Sequence, residues 1–196
     1  MKIKPSQAAT AALFTSLVSC ALAADPPMGA MAMDAKAKPT DAQLIESALK
    51  AGPASVSSKA TIVAMNADGT LRTVRQGSNG YTCMPDSGMA PGPDAMCLDG
   101  PAMKWFAAYM AHKAPEPNAV GFIYMLAGGT DSSNVDPYAE KPAPGADWIR
   151  TGPHVMIVGA DPAFYKAYPS PANPDTSLPY VMWPGTPYQH LMAPSR

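Results

Sequence analysis

Charge is scarce in this chain of 196 residues: Asp, Glu, Lys and Arg together make up 15% of it, and 14 basic against 15 acidic residues leave a net charge of −1. A nucleic-acid binder needs a basic stripe to neutralise phosphates, so that class of partner is set aside. The recurrent catalytic signatures GxSxG, HExxH, GxxxxGK[ST] and GxGxxG are missing, as is any paired CxxC. That removes weight from the common motif-bearing enzymes, although a triad can still be assembled from scattered residues. Cysteine is limited to three residues, whereas Pro (23) and Gly (15) are abundant. Such a composition argues for short elements joined by many turns and against an all-helical bundle.

What is present begins with an export leader. Lys2 and Lys4 precede an apolar run over residues 8–18, followed by Ala21-Leu22-Ala23, the three parts of a secretory signal. The run is too short to span a bilayer as a helix. Cleavage after Ala23 makes 1–23 the signal. A second reading stays open, because Leu17-Val18-Ser19-Cys20 has the form of a lipobox, in which 1–19 is removed and Cys20 is lipidated. Both place the protein outside the cytoplasm, periplasmic or secreted, with a membrane attachment only through Cys20. Either way Cys83 and Cys97 are left as the thiol pair in an oxidising compartment, and they are expected to form a disulfide. Closing about 15 residues removes ~3 kcal/mol of unfolded-state entropy in the simple chain model. The enclosed stretch holds Pro85, Gly88, Pro91, Gly92 and Pro93 and is expected to carry little regular structure.

Residues 24–39 are poor in aromatic and β-branched side chains, the composition of a flexible tether. From residue 40 to 196 we expect one domain. Thr40 and Gln43 form a capping box before a helix with Leu44, Ile45, Ala48 and Leu49 on one stripe, stopped at Gly52-Pro53. Residues 60–65 and 71–75 read as a hairpin around a Gly69-containing loop. Asp99 caps a second helix with Pro101 in its first turn and Met103, Phe106, Ala107 and Met110 at helical spacing toward His112, widened by Trp105 and Tyr109. Short β-branched or aromatic runs at 120–126, 154–158, 180–183 and 188–192 read as strands. The sum is an α+β domain: a mainly antiparallel sheet of about five or six strands, one principal helix packed on it, and an N-terminal helix.

The blocks RQGSNGYTCMP (75–85), YMLAGGTDSSNVDP (124–137), GPHVMIV (152–158) and PYVMWPGTPYQHLM (179–192) resemble those of uncharacterised small exported bacterial proteins. The resemblance implies export and a single domain. It implies no activity, ligand or catalytic residue.

Two constellations could carry chemistry. Gly128-Gly129 lead into Thr130, Asp131, Ser132, Ser133, Asn134 and Asp136 directly after a predicted strand, a dense polar set that could bind a ligand or satisfy its own backbone as Asx-type turns. The other is a repeated His-x-Met, His154/Met156 and His190/Met192, within predicted strands. Alternation puts each His on the face of its Met, and neighbouring strands with matching faces would bring two imidazoles and two thioethers together, a donor set that suits copper, above all Cu(I). Packing is the alternative, since Met is a common core filler. Met28, Met31 and Met33 in the tether have the spacing of an extracytoplasmic methionine motif.

The function expected first is an extracytoplasmic binding or interaction module for a small molecule or a protein, using Asp131, Ser132, Asn134 and Asp136 with the aromatics Tyr180, Trp183 and Tyr188. The second is a small hydrolase with His154 or His190 as base, Asp131 or Asp136 orienting it, and Ser132 or Ser133 as nucleophile. The third is a periplasmic copper-binding protein using the His-x-Met pairs and the methionine-rich tail. No cofactor other than copper is suggested by the residues.

Overall fold

The computed structural model describes residues 38–195. The expected signal, with Cys20, and the tether with Met28, Met31 and Met33 lie outside the described residues.

Helix α1 (Asp41–Leu49) starts as the capping box dictates: the Thr40 hydroxyl accepts from the Gln43 N–H, and the Gln43 side chain accepts from the Thr40 N–H. A single turn, α2 (Ala54–Ser57), follows Pro53. Four residues are too few to show a 3.6-residue period, so nothing in the sequence announces it. The predicted hairpin is β1 (Thr61–Met65) and β2 (Leu71–Arg75), with Asp68 accepting from the Thr70 N–H in the loop. There follow β3 (Thr82–Met84), β4 (Met96–Leu98), α3 (Gly100–Met110), β5 (Gly121–Met125), β6 (Gly129–Asp131), β7 (Ile149–Thr151), β8 (His154–Val158), α4 (Pro162–Tyr165), β9 (Tyr180–Met182) and β10 (His190–Pro194).

Eight strands form one sheet in the order β2-β1-β3-β4-β5-β8-β10-β9, and β6 pairs with β7 in a separate ribbon. Every neighbouring pair is antiparallel except β1 and β3. The α+β class, the mainly antiparallel pairing and the helix-on-sheet architecture are therefore as expected, but among the described residues the sheet has eight strands instead of five or six, one parallel pair makes it mixed, and two further strands form the ribbon. Five of the strands, β3, β4, β6, β7 and β9, are three residues long. That is too short for alternation to register as a pattern.

Alternation along the strands separates two cores. Val63, Met84, Leu98, Ile123, Met125, Met156, Val158, Met182 and Met192 pack with Trp105 of α3 on one face. Their strand neighbours Ile62, Cys83 and Cys97 pack with Ala48 and Ala51 beside α1 on the other face, where Val181 and Leu191 meet Tyr165 of α4. Cys83 and Cys97 are opposite each other on β3 and β4 and are disulfide-bonded. A disulfide belongs in an oxidising compartment. Residues 85–95 between those strands are irregular, as expected.

Asp99 anchors α3 twice, accepting from the Ala102 N–H of the first turn and from the Phe122 N–H of β5. The helix approaches the sheet at Gly121, where a Cβ would lie 2.3 Å from the Ala102 nitrogen. Its buried side chains are Ala102 and Trp105, with Tyr109 half-buried one turn on, while Met110 is exposed. The expected stripe of Met103, Phe106, Ala107 and Met110 is thus rotated by about one residue. Among the described residues no helix is long and apolar enough to cross a membrane.

Candidate functional site

β8 and β10 are neighbours, as the His-x-Met hypothesis required, and His154, Met156, His190 and Met192 share the α3 face of the sheet. Their register decides the geometry. Met192 stands opposite Met156, His190 opposite Val158, and His154 opposite Pro194. Two copies of one motif on antiparallel strands are related by a twofold about the central pair, so the imidazoles lie at opposite ends. Four residues of offset amount to about 13 Å along the strands. The expected meeting of two imidazoles and two thioethers at one centre does not occur. Instead each His has its own neighbours: Met182 of β9 is opposite His190, and Met125 of β5 is opposite His154.

The two imidazoles share one hydrogen-bonding arrangement. Nδ1 of His154 donates to the Gly152 carbonyl at 2.7 Å, and Nδ1 of His190 to the Tyr188 carbonyl at 2.9 Å. A carbonyl only accepts, so the proton sits on Nδ1 and Nε2 carries a lone pair. Both side chains are 0% exposed, and neither Nε2 has a hydrogen-bond partner among the described residues. Burial pushes both below the ordinary histidine range, His190 to about 4 against the opposing bond to Tyr188, with His154 adding to the fall. They are neutral imidazoles near pH 7, the protonation state that ligates metals.

The surroundings then distinguish them. β6 crosses above His154: a Cβ on Gly129 would lie 2.9 Å from its Cε1 and 3.5 Å from its Nε2. His190 instead lines a cavity of about 290 Å³ between the sheet, α3 and the segments around residues 89–96 and 130–140. Met96, Met125, Met156, Met182, Met192 and His190 come from the sheet side. Trp105, Trp148 and Trp183, all three tryptophans of the chain, also line it. The remaining polar lining includes four carboxylates, Asp94, Asp131, Asp136 and Glu140, and no Lys or Arg among the described residues. Arg150 reaches Gly92 nearby, where a Cβ would lie 3.1 Å from its Nη1, but is outside the lining. Burial, with Asp94 adding, pushes the half-buried Asp131 carboxyl up to about 7.

Two indole rings stand nearly perpendicular to the His190 imidazole, Trp183 at 4.9 Å and Trp105 at 5.4 Å between centroids. Trp183 adopts φ 54°, a left-handed conformation uncommon for a bulky side chain. It is held there by donating its backbone N–H to the Asn134 carbonyl and its indole N–H to the Ser133 carbonyl. Asn134 is itself buried and donates its side-chain amide to the Pro171 and Val181 carbonyls. The polar loop is thus stitched to β9.

The structure places the other sequence candidates as follows. Gly129 to Asp131 of the expected loop are strand β6. Ser133 Oγ accepts from the N–H groups of Val135 and Asp136, Ser132 Oγ donates to the Ala139 carbonyl, and Asp136 accepts from the Tyr138 N–H. Much of this loop serves its own backbone; only Asp131 offers the cavity a carboxyl without such a bond. Trp183 and Tyr188 are buried and form no exposed contact surface; Trp183 lines the cavity, whereas Tyr188 packs on Trp105 and donates its hydroxyl to the Lys113 carbonyl. Neither imidazole is hydrogen-bonded to Ser132, Ser133, Asp131 or Asp136. Among these described candidates no nucleophile–base–carboxylate relay is assembled.

Sequence reasoning missed Met125, Met182, Trp105, Asp94 and Glu140. The available signal was the count of 14 methionines, several at strand positions that alternate onto one face. Among the described residues no three His, Cys, Asp or Glu side chains group as a metal site, so the donors around His190 are mainly thioethers. Comparison of the chain with family models, curated proteins and solved structures finds no match.

Proposed function

We propose that this protein is an extracytoplasmic binding module that takes a small cation into the cavity beneath α3. The carrying observation is the lining: four carboxylates with no basic partner among the described residues, beside a buried imidazole whose Nε2 has no hydrogen-bond partner among them. Apolar walls beside carboxylates of one sign, of which Asp136 and Glu140 are exposed, focus the field and raise the local concentration of the opposite sign. Indole faces tolerate a cation through their quadrupole. Export rests on the charged and apolar leader and agrees with the Cys83–Cys97 disulfide.

Because all three tryptophans line the cavity, their fluorescence reports on its occupancy. We expect one or more of Cu(I), Ag(I), Cu(II), Zn(II), Ca(II) and tetramethylammonium to change it at a saturable one-to-one ratio. Asp136→Asn with Glu140→Gln should weaken that ion several-fold and flatten its salt dependence, in line with roughly 0.2–1 kcal/mol per exposed charge. A panel in which no cation perturbs the tryptophans ends the proposal.

A further inference from the structure

We infer that the cation is a soft monovalent metal ion, Cu(I), held by Nε2 of His190 and the thioethers of Met182 and Met192, with Met156 as the remaining neighbour. This rests on the cation reading above and names its ligand class. The register sets three methionines beside His190 on one face of the sheet, with Val158 opposite it on β8. Met182 is directly across from it on β9, Met192 is two residues along β10 on the same face, and Met156 is diagonal to it on β8. Direct neighbours on one face lie about 4.5–5.5 Å apart at Cβ and diagonal ones about 7–8 Å, within reach of unbranched side chains. All four side chains are buried and all four line the cavity, Met182 and Met192 at 1% exposure.

The donor chemistry then selects the ion. The imidazole and thioethers of this set are neutral donors, and the two described cysteines are consumed by the disulfide. Neutral thioethers are poor ligands for Ca(II), Mg(II) and Zn(II), which call for carboxylate, carbonyl or thiolate, and good ones for Cu(I). A single charge is also far cheaper to desolvate than a double one, because the Born cost grows with the square of the charge. The imidazole is already set for ligation, with Nδ1–H held by the Tyr188 carbonyl and Nε2 free. His154 has the same internal arrangement but is covered by Gly129, so it is a packing histidine and not a second site.

The test is anaerobic competition between the mature chain and a chromophoric Cu(I) chelator, with Ag(I) as a redox-inert check. Met28→Leu, Met31→Leu and Met33→Leu are introduced throughout so that tail thioethers do not contribute. We expect one Cu(I) per chain, sulfur and nitrogen in its X-ray absorption coordination shell, and at least a 100-fold loss of affinity in Met182→Leu/Met192→Leu. Leu conserves volume, so near-UV circular dichroism should stay native. In protein that keeps Met182 and Met192, Ag(I) should shift the methyl resonances of both together with the His190 ring, which tests the site even where the double variant fails to fold. No Cu(I) retained against the chelator, affinity unchanged in the folded double variant, or Ag(I) shifts away from these residues would overturn the inference. If Cu(I) fails while Ca(II) or tetramethylammonium still perturbs the tryptophans, the cation module stands without the copper assignment. If no cation is bound at all, both proposals fall.

Discussion

Asp131 and the two buried histidines hold opposite positions on the pH axis. The Asp131 carboxyl is raised from its ordinary value to about 7, so the folded state keeps a proton that the unfolded chain releases near pH 4. Its contribution to stability is complete below that unfolded value and is lost as pH rises through about 7. For His154 and His190 the folded value is depressed, and their contribution is present above about pH 6.5 and lost as pH falls, for His190 through about 4. Asp131→Asn cannot ionise, so its melting temperature relative to the parent should be near-neutral at pH 4 and clearly raised at pH 8. Thermal unfolding of metal-free protein at pH 4, 6 and 8 checks this, and a variant less stable than the parent at pH 8 contradicts it. Residue types at this scale were legible: His, Met, Asp and the Cys pair stood out by chemistry. Whether a given imidazole would be covered, as His154 is by Gly129, or would line a cavity, as His190 does, depends on segments far away in the chain.

At the scale of elements, α3 illustrates what periodicity can and cannot specify. Its existence and its start were readable from Asp99, Pro101 and the apolar spacing that follows. Its rotation was not, because Met103, Trp105, Phe106, Tyr109 and Met110 leave apolar groups around most of the helix and several phases fit equally well. The gap at Gly121 removes that ambiguity by letting the Ala102 side of the helix come closest to β5. Gly121→Ala would place a methyl group against helix backbone, which cannot rotate aside. We expect a loss of about 3 kcal/mol or more in urea denaturation. A loss under about 1 kcal/mol would show that α3 is not locked at this point. The three-residue strands tell the same story from the other side, since β9 carries Met182 into the site with too few residues to announce its own alternation.

For the molecule as a whole, the sheet order joins distant parts of the chain, bringing β5 beside β8 and β8 beside β10. The disulfide acts on this scale through the unfolded chain, where it closes a loop across a sequence separation of 14. Cys83→Ala/Cys97→Ala should lower unfolding stability by about 3 kcal/mol, less any gain from residual structure in the unfolded state. Chemical denaturation of the variant measures it, and an unchanged midpoint would assign the pair no stabilising role. The sequence by itself determined the local matters: the helix caps, the first hairpin, the cysteine pairing, the α+β class, and the alternation that puts His190 and Met192 on one face. Those features depend on neighbours within a few residues, or on there being only one pair to join. The tertiary structure alone decided strand order and register. Register separated the two histidines, seated Met182 opposite His190, and set carboxylates from the 94, 131, 136 and 140 segments over the same cavity. Cross-strand hydrogen bonding and face-to-face packing are long-range, so a one-residue slip that is invisible in composition would have sent every side chain of the slipped strand to the opposite face.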